Sequence, residues 1–189
     1  MKFVSTLLLG LWLSATVHAL ELGGITMPET LTTSDGATLH LNGAGIREKW
    51  FMDLYVGGLY LLQPSADPDT ILSADEPMAI RLHIVSGMIT SEKMVNATME
   101  GFENSTGGNV DALDVNIKAF LAAFDEAIKE GDIFAFIYEP GKGIHIMKNG
   151  AEYMLVECEL AFKQALFGIW LSDKPAQKSL KRDMLGRHG

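Results

Sequence analysis

The chain has 189 residues, 48% of them hydrophobic, and a formal net charge of −9 at pH 7. That length suits one domain with a substantial core, and the acidic balance argues against nucleic acid and against electrostatic docking on anionic lipid. A single cysteine, Cys158, excludes an intramolecular disulfide, and its apolar neighbours predict a buried, inert thiol.

The first 19 residues have the pattern of a secretory signal peptide. Lys2 supplies a short positive region, residues 3–13 an apolar core, and Val17-His18-Ala19 a small-residue cleavage site. We therefore predict cleavage before Leu20, export, and one domain over residues 20–189. The alternative, a retained membrane anchor, is disfavoured because the run is short and broken by polar residues, and no later segment is apolar enough to span a bilayer.

In the first half of the mature chain, short strands are predicted at residues 22–25 and 38–41. Residues 42–45, Asn-Gly-Ala-Gly, then predict a tight reversal, because glycine allows turn conformations. The segment that follows is rich in aromatic and β-branched residues and reads as a strand. Gly57-Gly58 within it predicts a bulge or a close approach to the backbone.

One charged residue, Arg47, enters this apolar segment. An unpaired buried guanidinium is costly, so Arg47 needs an anionic partner. The partner could be a ligand, or a carboxylate of the protein such as Glu48 or Asp53.

Further along, residues 69–72 predict one helical turn, and residues 78–85 alternate as a strand with Arg81 and His83 on one side. Two helices should follow, one from Ser91 capped by Thr90 and an amphipathic one over about residues 111–130.

The last third predicts three strands and two helices. The strands are residues 132–139, 143–148 and 152–156, with hairpin turns at residues 140–143 and at Asn149-Gly150. A largely buried helix from about residue 160 to 171 and a polar-faced helix over residues 176–185 complete the chain. This order of elements predicts an α+β fold with a mostly antiparallel sheet.

No motif nominates a cofactor or a metal. Residues 140–143, Pro-Gly-Lys-Gly, lack the spacing and the strand-turn-helix context of a phosphate-binding loop. The histidines have no metal-ligand spacing, and the carboxylates form no recognisable catalytic pair.

Three segments in order resemble the chalcone isomerase-like family, in particular its exported bacterial members. They are LNGAGIREKWFMDLYVGGLYL, FIYEPGKGIHIMKNG and AFKQALFGIWLSDKPAQKSLKRDMLG, joined by the helix SEKMVNATMEGF. The resemblance implies an open β-sandwich-like α+β fold, in which a layer of helices covers one face of a large antiparallel sheet. It also implies a periplasmic protein with a ligand cleft between sheet and helices.

Members of this family either close a chalcone to a flavanone by oxa-Michael addition or bind fatty acids without catalysis. By resemblance, the arginine that polarises the substrate falls on Arg47, and the threonine of the enzymes falls on Tyr55. A tyrosine beside the arginine makes this chain resemble the fatty-acid-binding branch of the family, in which both side chains contact the carboxylate of the fatty acid.

The other polar positions of the enzymes fall on Thr90, on Ala97 with Asn96 one position away, and on Gly168. One of the five polar positions is therefore kept. Losing a donor to developing enolate charge costs about 100-fold or more in rate, so the resemblance implies loss of the isomerase activity.

Three functions stay open from the sequence. The first is a non-catalytic binder of a carboxylated apolar ligand such as a fatty acid, held by Arg47 and Tyr55 with Thr90, Asn96, Ala97 and Gly168 around the cleft. The second is an isomerase or intramolecular lyase acting on an enone or phenolic substrate. The third is a structural or interaction module whose arginine pairs internally. The ligand and the oligomeric state are left undetermined.

Overall fold

A computed structural model of the protein describes residues 20–187 and has the predicted α+β architecture. The strands are β1 (Leu20–Leu22), β2 (Ile25–Met27), β3 (Thr30–Thr32), β4 (Thr38–Lys49), β5 (Met52–Leu61), β6 (Met78–Ile84), β7 (Ile133–Glu139), β8 (Gly143–Lys148) and β9 (Ala151–Val156). The helices are α1 (Pro68–Ser73), α2 (Ser91–Thr106), α3 (Asp114–Leu121), α4 (Leu160–Leu171) and α5 (Lys178–Met184). The predicted signal peptide lies outside the described residues.

The main sheet has seven strands in the order β3-β4-β5-β6-β7-β8-β9, and every neighbouring pair is antiparallel. Side chains alternate between the faces of a strand, so each face needs its own cover. Helices α2, α3 and α4 form a layer over one face, together with α5. The β1-β2 hairpin packs on the other face, where Met27, Val56 and Tyr60 are buried. The predicted antiparallel sheet with helices over one face is confirmed.

The core beneath the helix layer is aromatic. The ring of Phe120, on α3, lies 5.0 Å from that of Phe136 on β7 and packs edge-on to it. Phe102 on α2 and Phe162 on α4 stack at 5.6 Å. Such contacts add to the free energy gained from burying large apolar surfaces, so they fix the helices against the sheet.

The predicted reversal at residues 42–45 is wrong, because β4 runs through them without a break. Gly43 and Gly45 are glycines because α5 lies directly on the strand. A Cβ at Gly43 would stand 2.2 Å from the carbonyl oxygen of Asp183. The chain reverses instead at Trp50-Phe51, between Lys49 and Met52. At Gly57-Gly58 side chains approach the backbone closely, as predicted. Met184 packs against Gly57, and Met27 packs against Gly58.

Two other predicted elements differ from the structure. Residues 22–25 do not form one strand; they contain the turn of the β1-β2 hairpin, where Gly23 and Gly24 have positive φ. The single helix predicted over residues 111–130 is shorter and divided in the structure. A 3-10 turn precedes α3, a second 3-10 turn (Ala122–Phe124) follows it, and the rest of the range is coil. The apolar spacing still buries Ile117, Phe124 and Ile128, so the pattern identified the core side chains although the helix is shorter.

Candidate functional site

A cavity of about 430 Å3 lies between the end of the sheet and the helix layer. Its walls come from the β4-β5 hairpin, β6, the loop before α2, α2 itself, α4 and the segment before α5. The volume is within the range of small-molecule sites in proteins.

The β4-β5 pair places two polar side chains at this cavity. Arg47 on β4 lies directly opposite Tyr55 on β5, and the next pair is Glu48 with Asp53. Leu54 is therefore the extra residue of a β-bulge. A bulge interrupts the usual alternation of side chains, and both Leu54 and Tyr55 line the cavity.

The guanidinium of Arg47 is oriented by neutral acceptors. Its Nη1 donates to the carbonyl of Glu48 at 2.7 Å and to Oε1 of Gln177 at 2.9 Å. The same oxygen of Gln177 accepts from the backbone N–H of Glu48 at 2.9 Å. Gln177, which precedes α5, therefore fixes both the end of β4 opposite the bulge and the arginine that β4 carries.

Arg47 forms no ion pair with any carboxylate in the part of the chain that the structure describes. The carboxylates of Glu48 and Asp53, the candidate internal partners, form no ion pair with it. An arginine has five N–H donors, and within residues 20–187 only those on Nη1 have acceptors. Donors remain for an anion from outside the chain.

The hydroxyl of Tyr55 is buried and is hydrogen-bonded to a residue of the helix layer. Its oxygen accepts a hydrogen bond from Nε1 of Trp170, on α4, at 3.0 Å. Burial raises the pKa of Tyr55, and the bond from Trp170 and the charge of Arg47 only partly oppose that effect. The phenol is therefore neutral at pH 7. Because the indole occupies an acceptor site of the oxygen, the hydroxyl proton stays available to a ligand.

The remaining wall is apolar, and charged groups stand near its opening. Leu82, Ile89, Met94 and Ile169 are buried side chains that line the interior. Exposed residues that also line the cavity include Lys49, Lys93 and Glu100. The site thus combines apolar side chains in its interior with the polar pair Arg47 and Tyr55 and with further polar side chains from α2, which suits an amphipathic molecule.

The sequence profile of the family described as chalcone isomerase-like matches residues 19–186, nearly the whole chain. The chain belongs to the chalcone isomerase-like family. Among solved structures, it is similar to the crystal structure of the Arabidopsis thaliana fatty-acid binding protein AtFAP1, with 19% identity and a TM-score of 0.68. That likeness covers 89% of this chain and 96% of the other, and it shows a shared fold. No curated protein sequence matches significantly.

The structure of this chalcone isomerase-like protein brings four of the six predicted site residues to the cavity. Arg47, Tyr55, Asn96 and Ala97 line it, the last two from an exposed part of α2. The other two predicted positions lie elsewhere.

Thr90 is the N-cap of α2, and its Oγ1 accepts from the backbone N–H of Lys93 at 3.3 Å. Gly168 faces α2, where an added Cβ would lie 2.8 Å from Cβ of Ser105. Its neighbours Ile169 and Trp170 are the residues that α4 directs to the cavity.

Two residues of the site were not singled out from the sequence. Trp170 is one of many apolar residues in α4, and only its distance to Tyr55 distinguishes it. Gln177 lies 130 residues from Arg47 in the chain, and no local pattern marks it.

Within residues 20–187, no group of three or more His, Cys, Asp or Glu side chains is arranged to hold a metal ion. No helix in the same range is long and apolar enough to cross a membrane.

Proposed function

We propose that this chalcone isomerase-like protein binds a carboxylated apolar ligand, most simply a fatty acid, without catalysing its conversion. The observation that carries the proposal is the pairing of Arg47, which has no internal carboxylate partner among the described residues, with Tyr55 beside it in the cavity. The ligand carboxylate would accept from both side chains, and the alkyl tail would lie along the apolar wall.

Charge and hydrogen bonding favour a carboxylate at this place. A hydrogen bond between ionised groups is about twice as strong as one between neutral groups, and attraction between charges grows when water is excluded. Tyr55 adds a neutral donor whose oxygen is already fixed by Trp170. Since these donors are positioned before a ligand arrives, binding would cost little reorganisation.

The similarity to a solved structure titled as a fatty-acid binding protein supports the proposal. The polar groups of this cavity also support binding over catalysis. Positions that carry polar side chains in the isomerases are occupied here by Ala97 and by Gly168, which faces away from the cavity. A proton-transfer step would need an acid or base positioned at the substrate. The phenol of Tyr55 stays protonated at pH 7 and so cannot act as the base, and Lys93 and Glu100 lie on the exposed side of the cavity.

The third possibility, a module without a ligand, required an internal ion pair and a filled cleft. The opposite arrangement, an open cavity beside an arginine without a carboxylate partner within residues 20–187, counts against it.

We further propose that the protein is exported and acts in the periplasm. The signal-peptide pattern of residues 1–19 supports this. Intact-mass measurement of the protein from its host checks it: a mature chain beginning at Leu20 is expected, and an uncleaved chain in the cytoplasm would contradict export.

The binding proposal is tested by titrating delipidated protein with a fluorescent fatty acid. Arg47→Ala should weaken binding by about tenfold to a hundredfold, while Arg182→Ala, which removes an exposed arginine on α5, should bind as the unmodified protein does. Circular dichroism and thermal unfolding establish that both variants are folded. Equal binding by Arg47→Ala and the unmodified protein would refute the proposal. Turnover of a chalcone above its spontaneous rate would refute the non-catalytic part.

A further inference from the structure

The turn between β4 and β5 carries exposed apolar side chains. Trp50 is 77% exposed, Phe51 is fully exposed, and Met52, the next residue, is 39% exposed. We refer to these three residues as the hairpin tip. Phe51 projects wholly into solvent, Trp50 mostly so, and Met52 is partly exposed.

The backbone of the hairpin tip is unfavourable for its residues. Trp50 and Phe51 have φ of 51° and 64°, the left-handed conformation that a two-residue hairpin turn of type I′ requires at both central positions. Asn and Gly adopt it readily, whereas bulky residues rarely do. Within residues 20–187 little packing offsets this cost, because Trp50 is mostly exposed and Phe51 fully so, and both rings are therefore free to contact something outside the chain.

The hairpin tip adjoins the opening of the cavity. Trp50 lines the cavity while most of its surface faces solvent. Met88, in the loop before α2, lines the same cavity and is 39% exposed. The ammonium of Lys49 lies 5.4 Å from the centre of the Trp50 ring. Aromatic rings with an adjacent lysine are typical of segments at the boundary between lipid and water.

The shape of the hairpin tip favours a bilayer over a protein as the contact. A stable protein interface buries about 800 Å2 on each partner, much more than a two-residue turn can offer. A projecting tip can instead enter a fluid lipid surface. The flanking charges nearly balance, since Lys49 and Lys93 are offset by Glu48 and Asp53, and the whole chain is acidic. Insertion would therefore depend on apolar burial rather than on anionic lipid.

We propose that the hairpin tip, with Met88, inserts into the surface of a zwitterionic phospholipid bilayer and so places the cavity opening at the lipid. Ligand could then pass between bilayer and cavity without crossing water. The ligand-transfer part rests on the proposed fatty-acid binding, whereas the docking itself does not.

Flotation with phosphatidylcholine vesicles tests the docking. The mature protein, purified as the host cell processes it, should float with the vesicles, and added anionic lipid should change the bound fraction little. Phe51→Glu should weaken partition into the vesicles by about tenfold or more, because it removes a fully exposed phenyl group from the inserted tip. Val115→Glu is the matched control: Val115, on α3, is 79% exposed and lies outside the cavity lining, so its variant should float normally.

Tryptophan fluorescence reports on the same event. Trp170 is buried already, so a blue shift on adding vesicles, with quenching by brominated lipid, is expected from Trp50. The proposal would be overturned if the unmodified protein did not bind vesicles or bound only anionic vesicles. It would also be overturned if both glutamate variants lost vesicle binding equally. Concentration-dependent dimerisation that Phe51→Glu abolishes would overturn it as well, since the tip would then contact a second copy.

Docking and ligand binding can fail separately. Phe51 does not line the cavity, so Phe51→Glu should bind a fatty acid from solution normally and should receive it from vesicles slowly. Arg47→Ala should float normally and bind the fatty acid about tenfold to a hundredfold more weakly.

Discussion

The indole N–H of Trp170 donates to the phenolic oxygen of Tyr55 at 3.0 Å, joining the helix layer to the sheet inside the cavity. Tyr55 in turn lies opposite Arg47 in the β4-β5 ladder. The two elements that enclose the cavity are thus tied together at its polar end. The orientation of the hydroxyl near Arg47 therefore depends on the packing of α4 on the sheet.

Removing that hydroxyl should affect both ligand affinity and stability. For Tyr55→Phe we expect fatty-acid affinity to fall by roughly fivefold to tenfold, the value of one hydrogen bond of about 1 kcal/mol. Stability should fall by about 1–3 kcal/mol, because the buried indole N–H loses its acceptor. Fluorescence titration and urea unfolding measure the two effects.

Tyr60→Phe is the matched control for this variant. The Tyr60 hydroxyl donates to the carbonyl of Pro28 at 2.9 Å, on the face of the sheet away from the cavity. Its loss should reduce stability and leave ligand affinity unchanged. If both variants lowered affinity equally, Tyr55 would have no specific part in binding.

The close packing of α5 on β4 should make one glycine irreplaceable. Gly43→Ala should destabilise the protein by about 3 kcal/mol or more, because its Cβ would meet backbone atoms of α5 that cannot rotate away. Gly87→Ala, where nothing lies within 4 Å of the added Cβ, should change stability by less than about 1 kcal/mol in either direction. Thermal unfolding compares the two, and equal tolerance would contradict the packing.

The strain in the hairpin tip should be removable. Replacing Trp50-Phe51 by Asn-Gly should stabilise the protein by about 1–2 kcal/mol, because these residues accept left-handed φ at lower cost. Urea unfolding measures the gain. The same variant should lose vesicle binding, so stability and docking would change in opposite directions. A loss of stability would show that the aromatic residues pack within the protein.

The buried Lys163 should make stability depend on pH. Its Nζ donates to the carbonyls of Ile71, Leu72 and Ala74 at 2.6–3.0 Å, and burial lowers its pKa to about 8. Between pH 8 and about 10.4, the ordinary pKa, the unfolded chain binds more protons than the folded one. The contribution of Lys163 to the free energy of unfolding should therefore rise with pH through that window.

Urea unfolding at a series of pH values measures this dependence. Lys163→Met removes the titrating group and with it the rise, which leaves a fall in stability above about pH 9 from Cys158, whose pKa burial raises to about 11. It should also destabilise the protein at pH 7 by about 3 kcal/mol, because carbonyls at the end of α1 lose their donor. A rise in stability with pH that persists in the variant would assign the pH dependence to another group.

The parts of the fold that depend on local signals could be predicted from the sequence. Asn149-Gly150 identified the β8-β9 hairpin because the turn chemistry is specified by those two residues. The apolar run of α4 predicted a buried helix, and that helix is buried on most sides. Arg47 and Tyr55 were nominated by resemblance, and the structure brings them together.

The parts that depend on distant residues could not be predicted. Gly43 and Gly45 suggested a turn because glycine usually marks one, yet here they make room for a helix about 140 residues later. Trp50 and Phe51 read as strand residues, since their propensity is for strands, although they form the turn. Gln177 and Trp170 hold Arg47 and Tyr55 through contacts across the fold, which leave no mark in the local sequence.

The central claim is that Arg47 recognises a ligand carboxylate. Isothermal titration calorimetry of delipidated protein tests this claim most directly. The unmodified protein and Arg47→Gln are each titrated with palmitic acid and with its uncharged methyl ester. The unmodified protein should prefer the acid by about tenfold to a hundredfold, as hydrogen bonds between charged groups suggest, and Arg47→Gln should bind both ligands equally weakly. Equal affinity of the unmodified protein for acid and ester, or an undiminished preference in Arg47→Gln, would contradict it.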